Sequence, residues 1–95
     1  MDETRRQTIE RLLREGPRRL EELAGILDTT PSSVAGDLEH VIRSLRGGGR
    51  LVVQPATCCA CGFTFEDRKR LTTPSRCPRC RSERIEDPTF RIEER

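Results

Sequence analysis

Four of the five cysteines in this chain fall in a pattern that leaves few folds open to it. Cys58 and Cys61 form one C-x2-C pair, Cys77 and Cys80 a second, and fifteen residues lie between the pairs. Two cysteines three apart on a tight turn aim both sulfurs at one point, and two such turns complete a tetrahedron. Thiolates are soft ligands that suit zinc, and four of them leave no position open for a substrate water. The expectation is one structural Zn2+ held by Cys58, Cys61, Cys77 and Cys80. Gly62 falls where such a turn needs a positive φ, and Pro78 stiffens the second pair. Cys59 stands outside the set, because only one residue separates it from Cys61. It reads as a spare thiol on a small, partly buried side chain.

Iron is the rival metal, since rubredoxins also use paired C-x2-C turns. They surround the iron with Trp and Tyr, and this sequence has neither. A redox dithiol explains two pairs at this spacing less well than a single ion does. Five cysteines, an odd number, fit poorly with a paired disulfide framework. No apolar run approaches the roughly 20 residues that span a bilayer. The opening MDETRRQTIE lacks the apolar stretch of a signal peptide. The chain therefore reads as a cytoplasmic protein. With 95 residues, 33% hydrophobic and only three aromatic side chains, it builds a thin core that a metal staple would reinforce.

The first half has helical periodicity. Residues 3–15 place Ile9, Leu12 and Leu13 on one face, ended by Gly16-Pro17. Residues 19–27 place Leu20, Leu23, Ala24 and Leu27 at amphipathic positions. Asp28-Thr29-Thr30 forms a short turn. Thr30 caps a third helix over residues 31–46, with Pro31 at its first position and Val34, Leu38, Val41, Ile42 and Leu45 on one side. Ala24 and Val34 lie ten apart, the offset at which helix-turn-helix motifs set a small residue against an apolar one. The turn glycine of such motifs falls at Asp28, a residue type that tolerates the left-handed region. After Gly47-Gly48-Gly49 the period changes. Leu51–Gln54 reads as a strand resembling a short wing, Phe63–Phe65 as a strand, residues 66–76 as a polar loop or hairpin, and Thr89–Ile92 as a last strand. With no long linker between the halves, they are expected to pack together or to share a strand. The fold class is α+β: a three-helix winged helix-turn-helix over residues 1–54, then a small zinc ribbon of short antiparallel strands over residues 55–95.

Net charge gives no case for nucleic acid. The formal charge is +2, and four thiolates around one Zn2+ would contribute −2. Local clusters carry what case there is. The outward face of the third helix offers Ser32, Ser33, Gly36, His40 and Arg43, side chains of which several can contact phosphates or bases, with Asp37 and Glu39 at its flanks as repelling groups. Between residues 68 and 84 stand seven basic residues, Arg68, Lys69, Arg70, Arg76, Arg79, Arg81 and Arg84, against the single acid Glu83. A phosphate-binding surface and a solvated charged face both account for them.

The sequence resembles the prokaryotic, mainly archaeal, predicted transcriptional regulators that fuse a helix-turn-helix domain to a C-terminal zinc ribbon. The resemblance is carried by Pro55-Ala56-Thr57-Cys58, by Cys61-Gly62-Phe63, by Asp67-Arg68-Lys69-Arg70-Leu71 and by Pro74-Ser75-Arg76-Cys77-Pro78-Arg79-Cys80. It implies a winged helix, a structural zinc and a role in transcription. The leading expectation is a DNA-binding regulator with helix 31–46 in the major groove. Phosphate contacts would come from Arg68, Lys69, Arg70, Arg76 and Arg79. The alternative is an adaptor that docks onto a protein partner, with RNA binding a minor option. A single His, cysteines committed to metal and no nucleophile–base pattern argue against an enzyme. Helix 1 would serve equally in a monomer or at a homodimer contact.

Overall fold

A computed structural model describes residues 4–45, 48–66 and 71–94. Three helices, α1 (Arg5–Glu15), α2 (Leu20–Leu27) and α3 (Pro31–Ser44), precede four short strands: β1 (Arg50–Gln54), β2 (Thr57–Cys58), β3 (Ile85–Glu86) and β4 (Thr89–Glu93). The chain is thus α+β, with three helices followed by small antiparallel strands.

Local chemistry sets the helix ends. Thr4 and Gln7 form a capping box on α1: the Thr4 hydroxyl accepts the Gln7 N–H at 3.2 Å, and the Gln7 side chain accepts the Thr4 N–H at 2.9 Å. The helix therefore starts at Arg5, two residues later than its periodicity suggests. Asp28 ends α2 in the left-handed region, at φ 54° and ψ 52°, as expected of the turn. The Thr30 hydroxyl accepts the Ser33 N–H at 3.1 Å and starts α3 with Pro31 at its first position. The expected end of α3 at Arg46 lies outside the described residues. Ile42 departs from the expected buried stripe and is 39% exposed.

Ile9, Leu12 and Leu13 of α1, Leu20, Leu23 and Ala24 of α2, and Val34, Leu38 and Val41 of α3 meet in one core. Phe90 and Ile92 of β4 join it from the far end of the chain, and Phe90 is among the largest fully buried side chains. β4 pairs antiparallel with β1 in the register Leu51↔Ile92 and Val53↔Phe90. Gly49 enters β1 at φ 144°, where a Cβ would lie 3.1 Å from the Glu93 carbonyl, so only glycine fits without displacement. On its other edge β4 bridges the α1–α2 link at Arg18. The sheet that follows the helices is therefore closed by a strand about 35 residues downstream, and the intervening segment leaves and returns through neighbouring strands.

Asp37 corrects the reading of α3. It is buried rather than flanking an outward face, ion-paired to Arg5 and, at 3.6 Å, to Arg6 of α1. Phe63–Phe65 forms no strand; a single bridge, Thr57↔Thr64, stands in its place. Around that bridge the Cys58 N–H donates to the Phe63 carbonyl at 2.8 Å and the Phe65 N–H to the Ala56 carbonyl at 3.0 Å, and the Phe63 and Phe65 rings meet edge to face at 5.0 Å.

Candidate metal centre

The two C-x2-C segments fold into turns with matching bonds. In the first, the Gly62 N–H donates to the Cys58 carbonyl at 2.9 Å, and the Cys58 N–H donates to the Phe63 carbonyl at 2.8 Å. In the second, the Arg81 N–H donates to the Cys77 carbonyl and the Cys77 N–H to the Ser82 carbonyl, both at 2.9 Å. Each turn then needs a left-handed residue directly after its second cysteine. Gly62 fills that place at φ 80°, as its position in the sequence implies, and Arg81 fills it at φ 63°. Sequence reasoning missed Arg81. Laying one turn over the other would have found it, since Arg81 stands where Gly62 does.

These turns bring Cys58, Cys61, Cys77 and Cys80 together, with all four sulfurs within 4.8 Å of one another. Cys58 and Cys80 approach to 3.5 Å, and Cys61 and Cys77 to 3.6 Å. A tetrahedral zinc with Zn–S near 2.3 Å needs sulfurs about 3.8 Å apart, so the donor set and its spacing fit that ion. Cys58 and Cys77 are buried, while Cys61 and Cys80 face outward. Cys59 is exposed, not partly buried, and stands outside the cluster. Its N–H donates to the Arg84 carbonyl at 2.8 Å and ties the first turn to the strand after the second.

The electrostatics are those of a proton-sharing site. Burial pushes the Cys58 thiol up, but N–H donors from Cys61 and Ala60 and the neighbouring thiols outweigh it and hold Cys58 at about 6. Cys77 is also lowered, with burial opposed by the N–H groups of Cys80 and Arg79. The second cysteine of each turn behaves in the opposite way. The Ser82 N–H favours the Cys80 thiolate, yet burial and three neighbouring sulfurs push it up to about 12. Cys61 is raised too: the Phe63 N–H is outweighed by burial and by Cys77 and Cys58. In the thiol form each low-pKa sulfur thus faces a protonated partner, and a dication replaces the shared protons. Zinc bound here would act as a closed cross-link between two turns, with no ligand position left for catalysis.

Elsewhere the expected contact residues are scattered. Ser32, His40 and Arg43 are exposed on α3, whereas Ser33 is half-buried beside its cap, Thr30. Arg79, Arg81 and Arg84 are exposed around the second turn, and Arg76 pairs with Glu83 at 3.6 Å. Arg68, Lys69 and Arg70 lie outside the described residues.

A three-helix domain joined through a shared sheet to a four-cysteine ribbon defines a zinc-ribbon protein. Residues 55–95 match the PF0610 rubredoxin-like zinc beta-ribbon domain, and residues 4–53 match the PF0610-like N-terminal family. The solution structure of protein PF0610 from Pyrococcus furiosus is 40% identical, with a TM-score of 0.81 over 96% of this chain and 90% of that one. The chain belongs to the PF0610-like family. No curated protein matches it.

Proposed function

We propose that this chain is a zinc-containing, DNA-binding transcriptional regulator whose helical half works as a winged helix. In this reading α2 and α3 form the helix-turn-helix and α3 enters the major groove. β1 and β4 are the wing strands, and the ribbon extends from them. The observation that carries the reading is the α2–α3 corner. Asp28 is left-handed between the helices, Ala24 and Val34 are both buried in the one core, and Ser32, His40 and Arg43 are exposed. The pairing of Asp37 with Arg5 and Arg6 also removes one of the two carboxylates that would repel phosphate from α3. Ribbon arginines then supply the backbone contacts, and the protein has no catalytic role.

A second reading, an adaptor that docks onto a protein, is favoured by exposed apolar side chains on the same two helices. Ile26 is 52% and Ile42 39% exposed, and Glu39 is exposed beside His40.

Fluorescence anisotropy with labelled duplexes across a salt series separates the two. Under the first reading log affinity falls linearly with log salt, by about 0.9 for each phosphate neutralised. Reversing Arg68 and Arg70 together weakens binding to all sequences alike and flattens the slope, while Arg43→Ala changes preference among sequences. Affinity untouched by the double reversal removes the ribbon from the interface. No binding even at low salt leaves the adaptor.

A further inference from the structure

The hydrogen-bond parity of the sheet shows which edge of it is open. Phe90 gives its N–H to the Arg18 carbonyl at 2.8 Å and accepts the Arg18 N–H at 2.9 Å. In an antiparallel ladder the N–H and C=O of one residue point to the same side, and successive residues alternate. Phe90 and Ile92 therefore turn their backbone groups away from β1. Thr89, Arg91 and Glu93 bond to their partners Gln54, Val52 and Arg50. It follows that Leu51 and Val53 direct their N–H and C=O groups to the outer edge of β1. Among the described residues no strand or bridge covers that edge. Its centre is Leu51-Val52-Val53, and Val53 is 42% exposed. An open apolar edge without Pro, Lys or a bulge at its centre is a template for another strand.

We infer that β1 pairs with β1 of a second copy, antiparallel about a dyad at Val52. This register satisfies the parity: Leu51 and Val53 of each chain become hydrogen-bonded pairs, with four backbone bonds in all, and Val52 faces Val52 as a non-bonded pair. It is also compatible in charge. Arg50 lies opposite the neutral Gln54 of the other copy, and the two Arg50 side chains start about 14 Å apart along the strands. Val53 is covered by Leu51 of the second chain, and the two-stranded sheet becomes one of four strands. Five residues per chain form a small interface, so the dimer is weak and reversible.

Sedimentation equilibrium on the zinc-loaded full chain, from about 10 μM to 1 mM, tests this. The mass is expected to rise from one chain toward two. Val52→Lys sets two ammonium groups together at the dyad and is expected to weaken association at least about tenfold, with zinc content and circular dichroism unchanged. On a Cys59→Ser background, Val52→Cys is expected to cross-link on mild oxidation, since a non-bonded antiparallel pair has Cα atoms about 4.5 Å apart. Arg50→Cys on the same background is expected not to. A mass of one chain throughout, association untouched by Val52→Lys, or equal cross-linking of the two cysteine variants would overturn the pairing.

Discussion

Arg18 and Phe90, 72 residues apart in the chain, exchange both backbone hydrogen bonds, at 2.9 and 2.8 Å. This couples the link between α1 and α2 to the strand by which the chain returns from the ribbon. The Phe90 side chain, 1% exposed, completes the helical core from that strand. The helical half thus depends on a residue that follows the metal site.

Phe90→Ala removes a fully buried aromatic side chain from the shared core. Urea denaturation of the zinc-loaded protein is expected to show a loss of about 3–5 kcal/mol. The helical signal and the ribbon should then melt at lower denaturant together. A loss below about 1 kcal/mol would mean that β4 is not part of the core.

Asp37 accepts hydrogen bonds or charge contacts from Arg5 and Arg6, whose side chains are about half exposed. In Asp37→Ala both guanidinium groups turn to water, so the expected loss is about 1–2 kcal/mol, less than for a fully buried pair. Arg5→Ala and Asp37→Ala share one interaction, and a double-mutant cycle should show that their effects do not add.

Much of this was legible because the signals are local. The cap at Thr30, the left-handed turn at Asp28 and each C-x2-C turn follow from residues within a few positions of one another, and the need of one ion for four sulfurs joins the two turns across fifteen residues. The burial of Asp37 is not legible in α3, because nothing within that helix shows that α1 brings two arginines against it. The β1–β4 register was hidden for a similar reason. Leu51–Gln54 announces a strand but not its partner, which lies beyond the whole ribbon. The segment Phe63–Phe65 has strand-type residues, yet it meets β2 only through the bridge Thr57↔Thr64, on the edge that β3 does not occupy.

The matched turns make opposite forecasts at Gly62 and Arg81. Arg81 holds a left-handed φ of 63° that costs a non-glycine residue about 1 kcal/mol, so Arg81→Gly should raise the thermal midpoint of the zinc-loaded protein slightly. Gly62→Val forces a β-branched side chain to φ 80° and should lower it. Calorimetry of the two variants side by side reads both signs.

Zinc and protons compete for the same sulfurs, so zinc affinity should rise with pH. At pH 7 Cys58, held at about 6, is already a thiolate. Cys80, at about 12, and the raised Cys61 still carry protons that the ion displaces. Titration calorimetry in buffers of different ionisation enthalpy should find at least two protons released per zinc at pH 7. One more should appear as pH falls through about 6, where Cys58 gains its proton. The fold held by zinc is accordingly lost toward acid pH.

The four cysteines that bind the ion join the two turns of the ribbon. X-ray absorption at the zinc edge, with elemental analysis, reads the identity of the ligands directly. The protein is expected to hold one zinc per chain with four sulfurs at about 2.3 Å. The spectrum should be unchanged in Cys59→Ser, and the ion should be lost, with the ribbon unfolded, in Cys77→Ser. Less than half an equivalent of zinc, iron in its place, a nitrogen or oxygen ligand, or loss of zinc in Cys59→Ser would contradict the assignment of Cys58, Cys61, Cys77 and Cys80.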